Sequence, residues 1–106
     1  MANCKDDFLK ATKGKNVLCA EITYGSDYLD DEQRNRAILT VGHSEAAMQR
    51  FLHDINYLYD SGYGGQEVYG TIWYTDGTWS EREEYDGSEC WVHKSCPAIP
   101  DELQGV

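Results

Sequence analysis

Residues 67–95 read EVYGTIWYTDGTWSEREEYDGSECWVHKS. Three runs rich in β-branched and aromatic residues are separated by Asp76-Gly77 and Asp86-Gly87. Asp-Gly supplies the two residue types that most easily enter a tight hairpin turn. The stretch therefore predicts a three-stranded meander over Glu67–Tyr74, Thr78–Tyr85 and Ser88–Ser95. Its register is open. With two-residue turns, Tyr74 faces Trp79 and Ile72 faces Glu81. With a bulged three-residue turn at Asp76-Gly77, Trp73 faces Trp79 instead.

Upstream, Ser44 reads as an N-cap. After it Ala47, Met48, Phe51, Leu52, Ile55, Leu58 and Tyr59 recur at helical spacing, and Ser61-Gly62 and Gly64-Gly65 stop the run. This predicts one long main helix. Before it, Val17–Tyr24 and Arg36–Val41 read as two strands of a hairpin joined by a polar loop. On the first strand, Leu18, Ala20, Ile22 and Tyr24 form the better core face. A short helix is expected over Asp6–Lys13, capped by Asn3, stopped by Gly14 and anchored by Phe8 and Leu9. Pro97 and Pro100 end regular structure, leaving residues 97–106 as a C-terminal tail in which Ile99 and Leu103 are placed to fold back onto the domain. The fold class is α+β: an antiparallel sheet of about five strands with the main helix across one face and the other face in water.

A chain of 106 residues is one domain by length, and 41% apolar residues are enough for a core. The charge is one-sided: 19 acidic against 9 basic residues, a formal net charge of -10. Such a balance repels nucleic acids and anionic membranes and attracts basic proteins. No apolar run has the length of a membrane span, and Met1–Asp7 lacks the apolar core of a secretory signal. A cytoplasmic setting with reduced cysteines is expected.

The acids cluster. Glu81, Glu83, Glu84, Asp86 and Glu89 surround the second Asp-Gly turn; Asp27, Asp30, Asp31 and Glu32 fill the loop of the first hairpin; Asp101 and Glu102 lie in the tail. Strand alternation puts Glu81 and Glu83 on one side, roughly 6.8 Å apart, on the scale of neighbouring phosphates. Glu84 lies on the other side and pairs with Glu89 across a two-residue turn. Like charges opposite each other destabilise a sheet, a cost that function can justify. With Trp79, Tyr85 and Trp91 as aromatic anchors, these acids make a candidate phosphate-like surface for a basic partner. The competing reading is a solvated sheet face whose charges guard against aggregation.

Catalysis and metal binding find little support. Cys90, His93 and Cys96 depart from the two to four intervening residues usual at structural zinc, and on a strand Cys90 and His93 point to opposite faces. Paired carboxylates need a cleft to act as acid and base, and a chain this short offers little of one. Gly62-Tyr63-Gly64-Gly65 lacks the lysine and helix of a phosphate loop. The expectation is a non-enzyme with no cofactor and no metal.

The segments Thr71–Ser80 and Tyr85–Glu89, closing on Pro97-Ala98-Ile99-Pro100, resemble small acidic α+β proteins of phages and mobile elements, among them anti-CRISPR and other anti-defence inhibitors. The resemblance covers about a third of the chain and carries no residue roles with it. It implies an inhibitor that occupies a nucleic-acid-binding surface of a bacterial defence complex. The rival expectation is an acidic immunity protein or antitoxin that caps a basic nuclease toxin.

Overall fold

The computed structural model describes residues 2–25, 35–59, 66–85 and 88–105. The chain order is β1 (Ala2–Asn3), α1 (Cys4–Ala11), β2 (Val17–Tyr24), β3 (Asn35–Leu39), α2 (Glu45–Asp54), β4 (Leu58–Tyr59), β5 (Val68–Tyr74), β6 (Trp79–Tyr85) and β7 (Ser88–Lys94). A short 3-10 turn at Asp101–Leu103 follows. The class is α+β. Five antiparallel strands form one sheet in the order β3-β2-β5-β6-β7, and β1 pairs with β4 in a separate two-stranded ribbon.

The sheet is continuous across its middle. β2 pairs with β3 on one side and with β5 on the other, so β5–β7 do not stand as a separate three-stranded unit. Gly70 makes the β2–β5 contact possible. A Cβ built at this position falls 2.3 Å from the Glu21 carbonyl oxygen, at a φ of +154° that side-chain-bearing residues rarely adopt. At the β5–β6 turn the chain takes the wider of the two expected geometries. Trp73 lies opposite Trp79, and Thr71 opposite Glu81. Gly77 supplies a φ of 87°, and Asp76 Oδ1 accepts hydrogen bonds from the backbone N–H (2.9 Å) and the hydroxyl (2.6 Å) of Thr78.

Local chemistry starts both helices. The Asn3 side chain accepts from Asp6 N at 3.0 Å, and the Ser44 hydroxyl accepts from Ala47 N at 3.1 Å. α1 therefore begins two residues before the expected Asp6 and buries Cys4 with Phe8, while Leu9 faces solvent. The main helix is shorter than its apolar spacing predicts. α2 ends at Asp54, and Leu58 and Tyr59 belong to β4. Competing partners account for this: Cys4 N donates to Tyr57 O at 2.8 Å, the Asn3 side chain donates from Nδ2 to the Asn56 side chain at 3.0 Å, and the backbone of the next two residues pairs with β1. β3 ends at Leu39, two residues before the expected Val41, which is exposed next to the positive-φ Gly42.

One core lies on one side of the sheet. Phe8 from α1 and Phe51 from α2 meet edge to face, with centroids 5.2 Å apart. They share a cluster with Ala20, Ile22, Val68 and Ile72 from the sheet. Leu18 leaves the expected core face because the β2 register shifts between Val17 and Cys19. The tail does not fold back: residues 95–105 are exposed throughout, including Ile99 and Leu103. The 3-10 turn is held by local hydrogen bonds, from Leu103 N to Pro100 O and from Gln104 Nε2 to Ile99 O.

Candidate functional site

Register divides the strand residues into two surfaces of different chemistry. One, opposite the helices, carries Cys19, Glu21 and Thr23 from β2, Arg36 and Ile38 from β3, Thr71 and Trp73 from β5, Trp79, Glu81, Glu83 and Tyr85 from β6, and Cys90, Val92 and Lys94 from β7. Glu81 and Glu83 are neighbours on this open face, as alternation requires. They do not project as bare carboxylates. Lys94 Nζ lies 2.9 Å from Glu81 Oε2 and 2.7 Å from Glu83 Oε2. Trp79 Nε1 donates to Glu81 Oε1 at 3.0 Å, so this predicted anchor is tied to its neighbouring acid. Farther along the face, Arg36 Nε pairs with Glu21 Oε1 at 3.1 Å. Hydrogen bonds from Lys94 and Trp79 hold the Glu81 carboxyl below its ordinary pKa, and Glu83 and Glu81 push Lys94 up to about 12.

The inward surface holds a polar cluster beside the core. Ser80, Arg82 and Glu84 alternate inward on β6, facing His93, Trp91 and Glu89 on β7. The Glu84–Glu89 pairing expected from the sequence is present, but Glu89 is not part of a negative surface. Its side chain and that of Arg82 are each 1% exposed, with Arg82 Nη2 2.9 Å and Nε 3.1 Å from Glu89 Oε1. Glu89 also accepts from Glu67 N at 2.9 Å and Val68 N at 3.1 Å, which fastens the start of β5. Arg82 donates from Nη2 to the Tyr59 hydroxyl at 2.5 Å, and Tyr59 donates to Asp7 of α1. The guanidinium lies over the rings of Tyr59 and Trp91, 5.3 and 5.4 Å from their centroids. This network joins α1, β4, β5, β6 and β7.

Tyr59, Arg82 and Asp7 carry no obvious mark in the sequence. The available signal is alternation, which turns an arginine inward between Ser80 and Glu84. A groove of about 350 Å³ opens beside the network, lined by Asp7, Lys10, Tyr59, Arg82, Glu89 and Trp91 among others. Trp91, expected as an anchor, is half-buried there, and its buried Nε1 has no hydrogen-bond partner among the described residues.

The remaining predicted residues fall outside these two arrangements. Tyr85 is 86% exposed at the end of β6. Glu84 is exposed on the same strand, and Asp101 and Glu102 are exposed in the tail. Asp27, Asp30, Asp31, Glu32 and Asp86 lie outside the described residues. The structure thus brings Trp79, Glu81 and Glu83 together, places Glu89 in the interior, and leaves Asp101 and Glu102 exposed in the tail.

Among the described residues no three His, Cys, Asp or Glu side chains are grouped to hold a metal ion. Register sets Cys90 opposite Glu83 on the open face and His93 opposite Ser80 on the inward one. No helix among the described residues is long and apolar enough to cross a membrane. No protein-family model, curated protein or solved structure matches this chain.

The buried acids-to-be set an alkaline limit on stability. Burial pushes the Cys4 thiol from 9.0 up to about 12, against the pull of Arg82 and with Asp7 and Glu89 adding to the rise. Burial likewise raises the phenols of Tyr24, Tyr57, Tyr59 and Tyr74. A folded pKa above the unfolded one means that the stabilisation is complete below the unfolded value and is lost as pH rises through the folded one. Stability is expected to be level just below pH 9 and to fall between 9 and 12. Urea melts across that range in the parent and in Cys4→Ala test the assignment: the variant has the shallower decline, and parallel declines would remove Cys4 as a contributor.

Proposed function

We propose that this chain is an acidic binding protein of the anti-defence type, which blocks a basic nucleic-acid-binding surface of a bacterial defence complex in the cytoplasm and catalyses nothing. One observation carries the reading. The open sheet face, with three acids and two bases, accounts for only -1 of the formal net charge of -10. The excess negative charge belongs to the rest of the chain, where it is available to steer and hold a basic partner.

This shifts the proposed contact residues. Glu81 and Glu83 share Lys94, which offsets one of their two charges, and Glu89 is interior. The contact is assigned to Asp27, Asp30, Asp31 and Glu32, to the end of the β6–β7 hairpin with Glu84, Tyr85 and Asp86, and to Asp101 and Glu102. Tyr85 supplies the aromatic anchor among these charges.

Two measurements test the reading. The purified chain, used as bait in bacterial lysate at low and high ionic strength, should recover a basic nucleic-acid-handling protein that salt releases. Recovery of a nuclease toxin would move the assignment to an immunity protein or antitoxin, and recovery of no basic protein at low salt would contradict both. The second measurement uses charge reversal. Lysine at Asp27, Asp30, Asp31 and Glu32 changes the net charge by two units per site, from -10 to -2. Association with the recovered protein should slow by about 10-fold or more at low salt. An unchanged rate would exclude this segment from the contact.

A further inference from the structure

The same charge balance points to a second surface. We propose that the open face of the five-stranded sheet is a homodimer interface, packed against the same face of a second copy of this chain.

Three observations favour a second copy over a basic partner at this face. The first is near-neutrality. Glu81 and Glu83 share Lys94 and Glu21 pairs with Arg36, so the face keeps a residual charge of only -1. A face that keeps so little of the excess negative charge offers a basic protein little, and it meets an identical face with only weak repulsion. The second is composition. Trp73, 41% exposed, lies opposite Trp79, and Ile38, 52% exposed, and the half-buried Val92 share the surface with them. Aromatic residues with few unmatched charges suit the core of a protein interface. The third is size. Five strands at about 4.8 Å spacing and about seven residues at about 3.3 Å rise give a flat face of about 500 Å² per copy. Two such faces bury about 1,000 Å², the size at which specific interfaces begin.

The geometry is that of a sandwich. Two twisted sheets pack face to face about 10 Å apart with their strands nearly aligned. A two-fold axis near the Trp73–Trp79 pair sets that pair against its copy, with the lysine-bridged Glu81 next to Trp79 on the same strand. The helices are left on the outer side of each copy, and Tyr85, the last residue of β6, lies at the margin of the covered face.

The test is sedimentation velocity on the full chain from micromolar to millimolar concentration in physiological salt. A dimer of about 24 kDa, twice the 12.1 kDa chain, is expected. Trp73→Glu and, separately, Ile38→Lys should weaken dimerisation by about 100-fold, with circular dichroism melts showing that each variant folds. Ile38 lies on an edge strand and faces solvent, so Ile38→Lys tests the interface even where Trp73→Glu unfolds. A wild-type chain that remains monomeric at every concentration overturns the proposal. So does a dimer that survives Ile38→Lys unchanged.

Discussion

Arg82→Met is expected to cost about 3–5 kcal/mol of folding stability, enough to unfold a domain of ordinary stability in large part. The effect does not come from losing an attraction. It comes from leaving Glu89, whose side chain is 1% exposed, as a buried carboxylate without its cation. Two backbone N–H groups at the start of β5 still donate to it, but they do not neutralise it. Tyr59 loses its donor in the same step, and with it the link from β6 through Tyr59 to Asp7 of α1. The double variant Arg82→Met with Glu89→Gln should recover at least about 1 kcal/mol of the loss, because a neutral amide oxygen still accepts from the backbone without needing a counter-charge. Urea denaturation of the parent, both single variants and the double variant closes the cycle. A single-variant loss under about 1 kcal/mol would mean that Glu89 is not desolvated as the structure places it.

Gly70→Ala is the second large effect, expected at about 3 kcal/mol or more. The new methyl meets backbone atoms of β2 at 2.3 Å (Glu21 O) and 3.0 Å (Ile22 Cα), and backbone cannot swing aside as a flexible side chain can. The residue also sits at a φ of +154°, unfavourable for any residue with a Cβ. Relief requires β2 and β5 to part, and these strands join the two halves of the sheet. Gly77→Ala serves as the comparison. It also has positive φ, but its built Cβ meets nothing within 4 Å, so only the conformational cost of about 1 kcal/mol applies. Equal losses at the two glycines would show that crowding at the β2–β5 contact is absent.

The difference between those glycines also shows where sequence reading runs out. Two-residue periodicity and Asp-Gly turns locate strands well, and β2 occupies Val17–Tyr24 as its alternation predicts. Capping chemistry is equally local, and Asn3 and Ser44 cap as their positions suggest. Gly70, by contrast, is needed because another strand passes close by, and nothing within β5 announces it. The end of α2 has the same character. Leu58 and Tyr59 continue the helical spacing, yet β1 captures their backbone from more than 50 positions away.

The acids divide along the same line. Alternation places Glu81 beside Glu83, but it does not show that Lys94, across the β6–β7 pair, bridges both. A carboxylate in a polar run reads as exposed, and Glu89 is interior only because Arg82 and two N–H groups converge on it. Charge counted along a chain therefore overstates the charge a surface presents. Here ion pairs tie up Glu81, Glu83 and Glu89, and the proposed contact rests on Asp27, Asp30, Asp31, Glu32, Glu84, Asp86, Asp101 and Glu102.

The remaining acidity is proposed to occupy a nucleic-acid site. Competition between the chain and DNA for the basic protein recovered from lysate, followed from about 50 mM to about 500 mM salt, tests it most directly. The chain should displace the DNA at low salt, and its affinity should fall steeply as salt rises. Binding that leaves the DNA in place, or that salt does not weaken, would contradict the account.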